Sequence, residues 1–210
     1  MSRKTLVVIA LVAVCGALGL AAGISSAKDE HSKAMEHDMK AMGMDPAMME
    51  KAMQAAVVGP QHEKMKAWVG TWKTEVISYW MDPANPMKSA GTATFELELD
   101  GRVLRGIHKG DMMGMAFEGR SLDGYDNVKG KHWNIWMDNM STWPMMSWGG
   151  PTADGKGISL TGSSWDPMMG KDQTIKMVST NVDANKNRFE MYLVDGGKET
   201  KMMEIIYSRS

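Results

Sequence analysis

The sequence predicts an all-β domain, an antiparallel up-and-down barrel of about ten strands, behind an export signal and a short Met-rich helical lead-in. Three observations carry that reading. From Trp72 to the end of the chain, apolar and polar residues alternate with the period of two that turns one strand face toward a core. The alternating runs are short and follow one another with no helical pattern between them. Turn chemistry breaks the run at Asp82-Pro83, Asp100-Gly101, Met113-Gly114, Asn127 to Gly130, Asp154-Gly155, Met169-Gly170, Asp183 to Asn187 and Gly196-Gly197. A meander of that many strands either closes or exposes edges, and closure into a barrel abolishes them. A two-sheet sandwich is the alternative.

Residues 1–27 read as a secretory signal peptide. Arg3 and Lys4 are followed by an apolar run from Thr5 to Ile24, and Ser25-Ser26-Ala27 supplies small residues before a charged Lys28-Asp29-Glu30. The chain is therefore expected in the periplasm or secreted. The run is also long enough for an uncleaved membrane anchor. Cys15 is the only cysteine, and Val14 before it suits a lipoprotein site poorly. Cleavage after Ala27 leaves a chain that no disulfide can staple, so packing alone must hold the fold.

Residues 28–58 form a lead-in of different texture, rich in Ala, Met, Glu and Lys and without aromatic residues. Asp45 as N-cap and Pro46 at the first helical position predict a helix over about 46–57, ended by Gly59-Pro60. A second short helix over about 61–68 leads into Gly70, with His62 on its surface. The barrel domain then spans 59–210. Its strands are expected at 71–80, 90–99, 102–109, 115–123, 131–138, 143–148, 157–164, 172–181, 187–194 and 199–208.

The stretch KAWVGTWKTEVISYW places three tryptophans in residues 66–80, around Gly70-Thr71-Trp72. A short helical turn, then Gly-x-Trp, then a strand and a ten-strand meander resemble the calycin superfamily of lipocalins, fatty-acid-binding proteins and nitrobindin-like barrels. That resemblance implies that Trp72 plugs the closed end of the barrel and that the terminal Arg209 stacks on its ring. The blocks DPAMMEKAMQAAVVGPQHEKMKAWVGTW, GRVLRGIHKGDMMGMAFEGRSLDGYDN, WMDNMST, DPMMGK and MMEIIYSR resemble the bacterial family known as domain of unknown function 1579. That resemblance spans residues 45–209 and implies a soluble or exported β-barrel without supplying a reaction. His108 stands where the family pattern leads one to expect an aromatic residue such as tyrosine, and residues 28–44 look like an addition of this chain.

The expected function is a non-enzymatic binding role, with a small, largely apolar ligand as partner. If Trp72 points inward, Thr74, Val76, Ser78 and Trp80 follow it. The ligand-lining candidates are Trp72, Trp80, Phe95, His108, Phe117, Trp136, Asp138, Met191 and Arg209. Strand KHWNIWMD is ambiguous. Its face of His132, Asn134, Trp136 and Asp138 fits a polar patch inside the barrel or an outer face with an incidental tryptophan. A barrel filled by its own side chains is the bland alternative.

A second functional class rests on the lead-in. His31, Met35, His37, Met39, Met42 and Met44 offer thioether and imidazole ligands suited to Cu(I) or Ag(I). A Met stripe that packs or tethers is the alternative. Met112, Met113 and Met115 are read as hairpin packing rather than as ligands. Catalysis finds little support: there is no G-x-S-x-G elbow, phosphate loop or dinucleotide fingerprint. A formal charge of -1 gives no basic footprint for nucleic acid.

Overall fold

The computed structural model describes His37, Gly43 and residues 45–210. The signal segment 1–27 and the candidate metal ligands His31, Met35, Met39, Met42 and Met44 lie outside the described residues. His37 is exposed. The chain divides into two units, one ending at Val57 and one running from Val58 to Ser210. In the first, helix α1 spans Pro46–Ala56. It begins where the Asp-Pro pair predicts, with Asp45 Oδ1 accepting from the Ala47 amide at 2.9 Å.

The second unit opens with helix α2 (Pro60–Lys64) and a 3-10 turn over Met65–Trp68. The expected surface position of His62 is corrected here. Its Nδ1 accepts from the Gly59 amide at 3.2 Å, and its ring packs edge-on to Tyr125, leaving it only 5% exposed. That inward bond turns the imidazole away from solvent and caps the helix start.

Ten strands follow: β1 (Gly70–Ser78), β2 (Met87–Glu98), β3 (Val103–Met112), β4 (Met115–Asp126) and β5 (Lys131–Asp138), then β6 (Met145–Pro151), β7 (Gly157–Asp166), β8 (Lys171–Asp183), β9 (Lys186–Asp195) and β10 (Lys198–Arg209). Each pairs antiparallel with its neighbour in sequence, and β1 pairs with β10 to close the barrel. The sandwich alternative is excluded.

Residues directly opposite across a ladder share a face, so the register fixes what points inward. Trp72 lies opposite Ala93 on one side and Arg209 on the other. The inward set continues through Thr74–Tyr207, Val76–Ile205 and Ser78–Met203. A bulge between Lys201 and Met203 breaks the alternation in β10. Strict period two would send Lys201 inward; the bulge puts it outside, where its ammonium meets the Glu190 and Glu204 carboxylates.

The fully packed core sits at one end, the floor. Met65, Trp72, Ala93, Phe95, Leu104 and Tyr207 are buried there, with Trp68, Leu97, Phe189 and Ile205 against them. Trp68 lies edge-on to Phe95 at 5.3 Å and to Tyr207 at 5.4 Å. Trp72 has no exposed surface, and its Nε1 donates to the Trp68 carbonyl at 2.7 Å. Gly70 makes the sharp entry possible. Its φ of +117° is closed to L side chains, and a Cβ there would stand 3.1 Å from Arg209 Nη1.

Arg209 completes the floor. Its guanidinium lies 4.3 Å from the centroid of the Trp72 ring. It donates to the carbonyls of Ala67 at 2.8 Å, Val69 at 2.9 Å and Ala184 at 3.2 Å. One side chain thus ties the turn before β1 to the β8–β9 connection.

Candidate functional site

Above the floor the inner face changes character. Val76, Asp123, Phe117, Trp136, Leu160, Phe189, Met203 and Ile205 all point inward, yet all are only half-buried. In a closed barrel that residual exposure faces the lumen. Toward the mouth a cavity of about 190 Å³ lies among β7, β8, β9 and the segment after β1, lined by Trp80, Trp165, Met168, Ile175 and Met191 among others.

Strand β5 resolves the ambiguity of KHWNIWMD. His132 lies opposite Tyr125, Asn134 opposite Asp123, Trp136 opposite Ser121 and Asp138 opposite Gly119. All four therefore face the lumen, and the outer-face alternative is corrected. Asp138 is satisfied by its neighbours: its Oδ2 accepts from Trp136 Nε1 at 2.7 Å, and its Oδ1 from the Met140 amide at 2.9 Å and Ser141 Oγ at 3.2 Å. Its role is to hold the indole. Trp136 lies over Gly119, where a methyl group would run into the ring, and stacks on Phe117 at 6.3 Å.

His108 occupies the centre of an aromatic box. Trp136 is 5.1 Å away, Phe95 5.4 Å and Tyr207 6.4 Å, all edge-on. Burial, reinforced by the nearby Arg120 charge, pushes the imidazole down to about 4, so it is neutral near pH 7. Its Nε2 is buried without a partner among the described residues. Asp123, two inward ladder rows toward the floor, accepts from Asn134 Nδ2 at 2.8 Å. Burial pushes this carboxyl up to about 6, against the opposing pull of the Asn134 and Ser121 side chains. Burial also raises the Tyr207 phenol, with Asp123 adding to the effect.

The structure sorts the sequence-predicted residues into three groups. His108, Phe117, Trp136 and Asp138 are brought together on the lumen wall. Trp72, Phe95 and Arg209 belong to the sealed floor, where Trp72 and Phe95 are packed out of reach. Trp80 departs from its expected place: β1 ends at Ser78, the chain bends, and the ring is 52% exposed at the mouth. Met191 points inward on β9 and reaches the same mouth cavity.

Asp123, Asn134, Ser147 and Tyr207 were absent from that set. The alternation of Ser121, Asp123 and Tyr125 in EGRSLDGYD is the signal that carries two of the neighbouring polar positions. It reads equally well as a solvent face until pairing with β5 is known.

Connections at the mouth carry little charge. The stretches 79–86, 113–114, 139–144, 167–170 and 196–197 contain a single charged residue, Asp82. Its carboxylate is engaged in its own turn by the Asn85 side chain and the Ala84 amide, which hold it below the usual carboxylate range. Met113 and Met168 stand 67% and 87% exposed on this rim.

A family model for proteins of unknown function, DUF1579, matches residues 58–209. The chain belongs to the DUF1579 family. The matched span coincides with the barrel unit, and leaves α1 outside it. None of the curated proteins matches the chain. Among solved structures, Rv2717c from M. tuberculosis is similar in fold, with 11% identity, a TM-score of 0.53, and coverage of 73% of this chain and 99% of that one. A redesigned β-barrel also matches, at 14% identity over 69% of this chain and 93% of that one, with a TM-score of 0.35. Among the described residues, no group of three or more His, Cys, Asp or Glu is placed to hold a metal ion, and no helix is long and apolar enough to cross a membrane.

Proposed function

We propose that this DUF1579 barrel is an exported binding protein that holds one small, largely apolar ligand in its lumen. One observation carries the reading: the barrel is sealed at the Trp72–Arg209 floor, while the inward faces above it keep accessible surface. Binding sites of this kind are concave, mostly apolar and equipped with a few fixed polar groups. The lumen has that composition, with Val76, Phe117, Trp136, Leu160, Met191, Met203 and Ile205 as walls and His108, Asp123 and Asn134 as polar points. The mouth connections, with Asp82 as their single charged residue, supply an approach of low charge. Residues 1–27 give the route of export to the periplasm or beyond.

Native mass spectrometry of the full chain purified from its own host tests this reading. The expected result is one small organic molecule bound per chain, released on denaturation and absent after Trp136→Ala. A chain of bare mass that also fails to take up a neutral apolar dye would reject it in favour of a filled barrel with a structural role.

A further inference from the structure

The headgroup chemistry of the ligand is written in the charge inventory of the lumen. Reading the inward positions of all ten strands, the only cations are Lys171 and Lys198 on the exposed rim and Arg209 in the floor. Arg209 is fully committed to Trp72 and three backbone carbonyls. Between floor and rim, no lysine or arginine faces inward. His108 adds no positive charge there near neutral pH.

The same zone holds Asp123. Of its neighbours across the ladders, Leu104 is apolar and Asn134 is neutral, and the Asn134 amide donates to its Oδ1. Asp138 also faces inward, but its two oxygens take three donors of its own neighbourhood. Asp123 is thus the lumen's uncompensated carboxylate. One row along, across Asn134, Ser147 is completely buried, and its Oγ has no partner among the described residues.

We propose that the ligand is an apolar-bodied organic cation, an amine or quaternary ammonium, whose charged nitrogen is held by Asp123 within the aromatic walls of Trp136 and His108. This rests on the binding reading above and adds the sign of the charge. A carboxylate in a water-poor lumen is stabilised by a cation and repels an anion. Aromatic faces likewise attract cations and not carboxylates. A fatty acid, which needs a lysine or arginine to greet its headgroup, has none here.

The test uses three probes with one body and different heads: octylammonium, octanol and octanoate, titrated into the full-length protein at pH 7.5 in competition with a neutral fluorescent dye. The expected order is octylammonium first, ahead of octanol by at least about tenfold, with octanoate weakest. Asp123→Asn is expected to bring octylammonium within about twofold of octanol, the ratio of the two heads within the variant being the quantity read. Octanoate binding as tightly as octylammonium to the wild type overturns the inference and leaves the binding reading standing. Failure of all three probes and the dye overturns both. Should the variant lose octanol binding as well, the wild-type order of octylammonium and octanoate decides alone.

Discussion

Removing Arg209 measures how much the floor depends on one side chain. The guanidinium donates to three carbonyls and covers Trp72 at 4.3 Å. Because Arg209 is exposed, each hydrogen bond is taken near the low end of its range, about 0.5–1 kcal/mol. The stacking contact adds about 0.5–1 kcal/mol. Arg209→Ala is therefore expected to cost about 3 kcal/mol, equivalent to a fall in Tm of about 6–12 °C for a domain of this size. Arg209→Lys keeps the charge over the indole and loses the planar fork, so it is expected to recover about a third of the loss. Urea unfolding of the three proteins reads this directly, as a shift in midpoint at constant slope. A loss for Arg209→Ala within about 0.5 kcal/mol, the range of ordinary surface substitutions, would refute the latch.

Acid titration separates the two buried groups of the lumen. Asp123 rises from 3.8 to about 6, so its contribution to stability is present below 3.8 and lost as pH rises through 6, an effect of about 3 kcal/mol. His108 falls from 6.5 to about 4, so its contribution is present above 6.5 and lost as pH falls through 4, again about 3 kcal/mol. The two slopes oppose each other between pH 4 and 6. Relative to wild type, Asp123→Asn should lose stability more steeply on acidification, and His108→Phe less steeply, in urea midpoints measured from pH 7 to 4; parallel curves would contradict the burial of both groups. Gly70→Ala places a side chain at a φ of +117° and against Arg209, and is expected to cost about 2 kcal/mol or more in the same assay. Gly119→Ala pushes on Trp136; it is expected to weaken dye binding several-fold while the urea midpoint falls by no more than about 2 kcal/mol.

The ten strands were legible because period-two patterning and turn residues are local signals. Expected and observed strands correspond one to one, with ends moved by a few residues where β2 starts at Met87 and β3 runs on to Met112. Closure was legible through the strand count, which leaves exposed edges unless the sheet closes, and through the Gly-Thr-Trp triplet and the terminal arginine. The inner wall was less so, because alternation states that two faces differ without saying which is inside. In β5 the inward residues are the polar ones, His132, Asn134 and Asp138, so hydrophobicity alone points the wrong way. His62 sits on a helix of five residues, too short for any period to show, and its burial comes from Tyr125, distant in sequence. The bulge that turns Lys201 outward likewise leaves no mark in KETKMMEIIYSR.

Ligand binding requires open, apolar space above the Trp72 floor. Titration of the full-length protein with a neutral, environment-sensitive dye such as N-phenyl-1-naphthylamine measures that space most directly. One saturable site per chain, with blue-shifted emission, energy transfer from tryptophan and loss on Trp136→Ala, is the predicted result. Emission that stays at its value in water, with no saturation and no change in the variant, would mean that the barrel is filled by its own side chains.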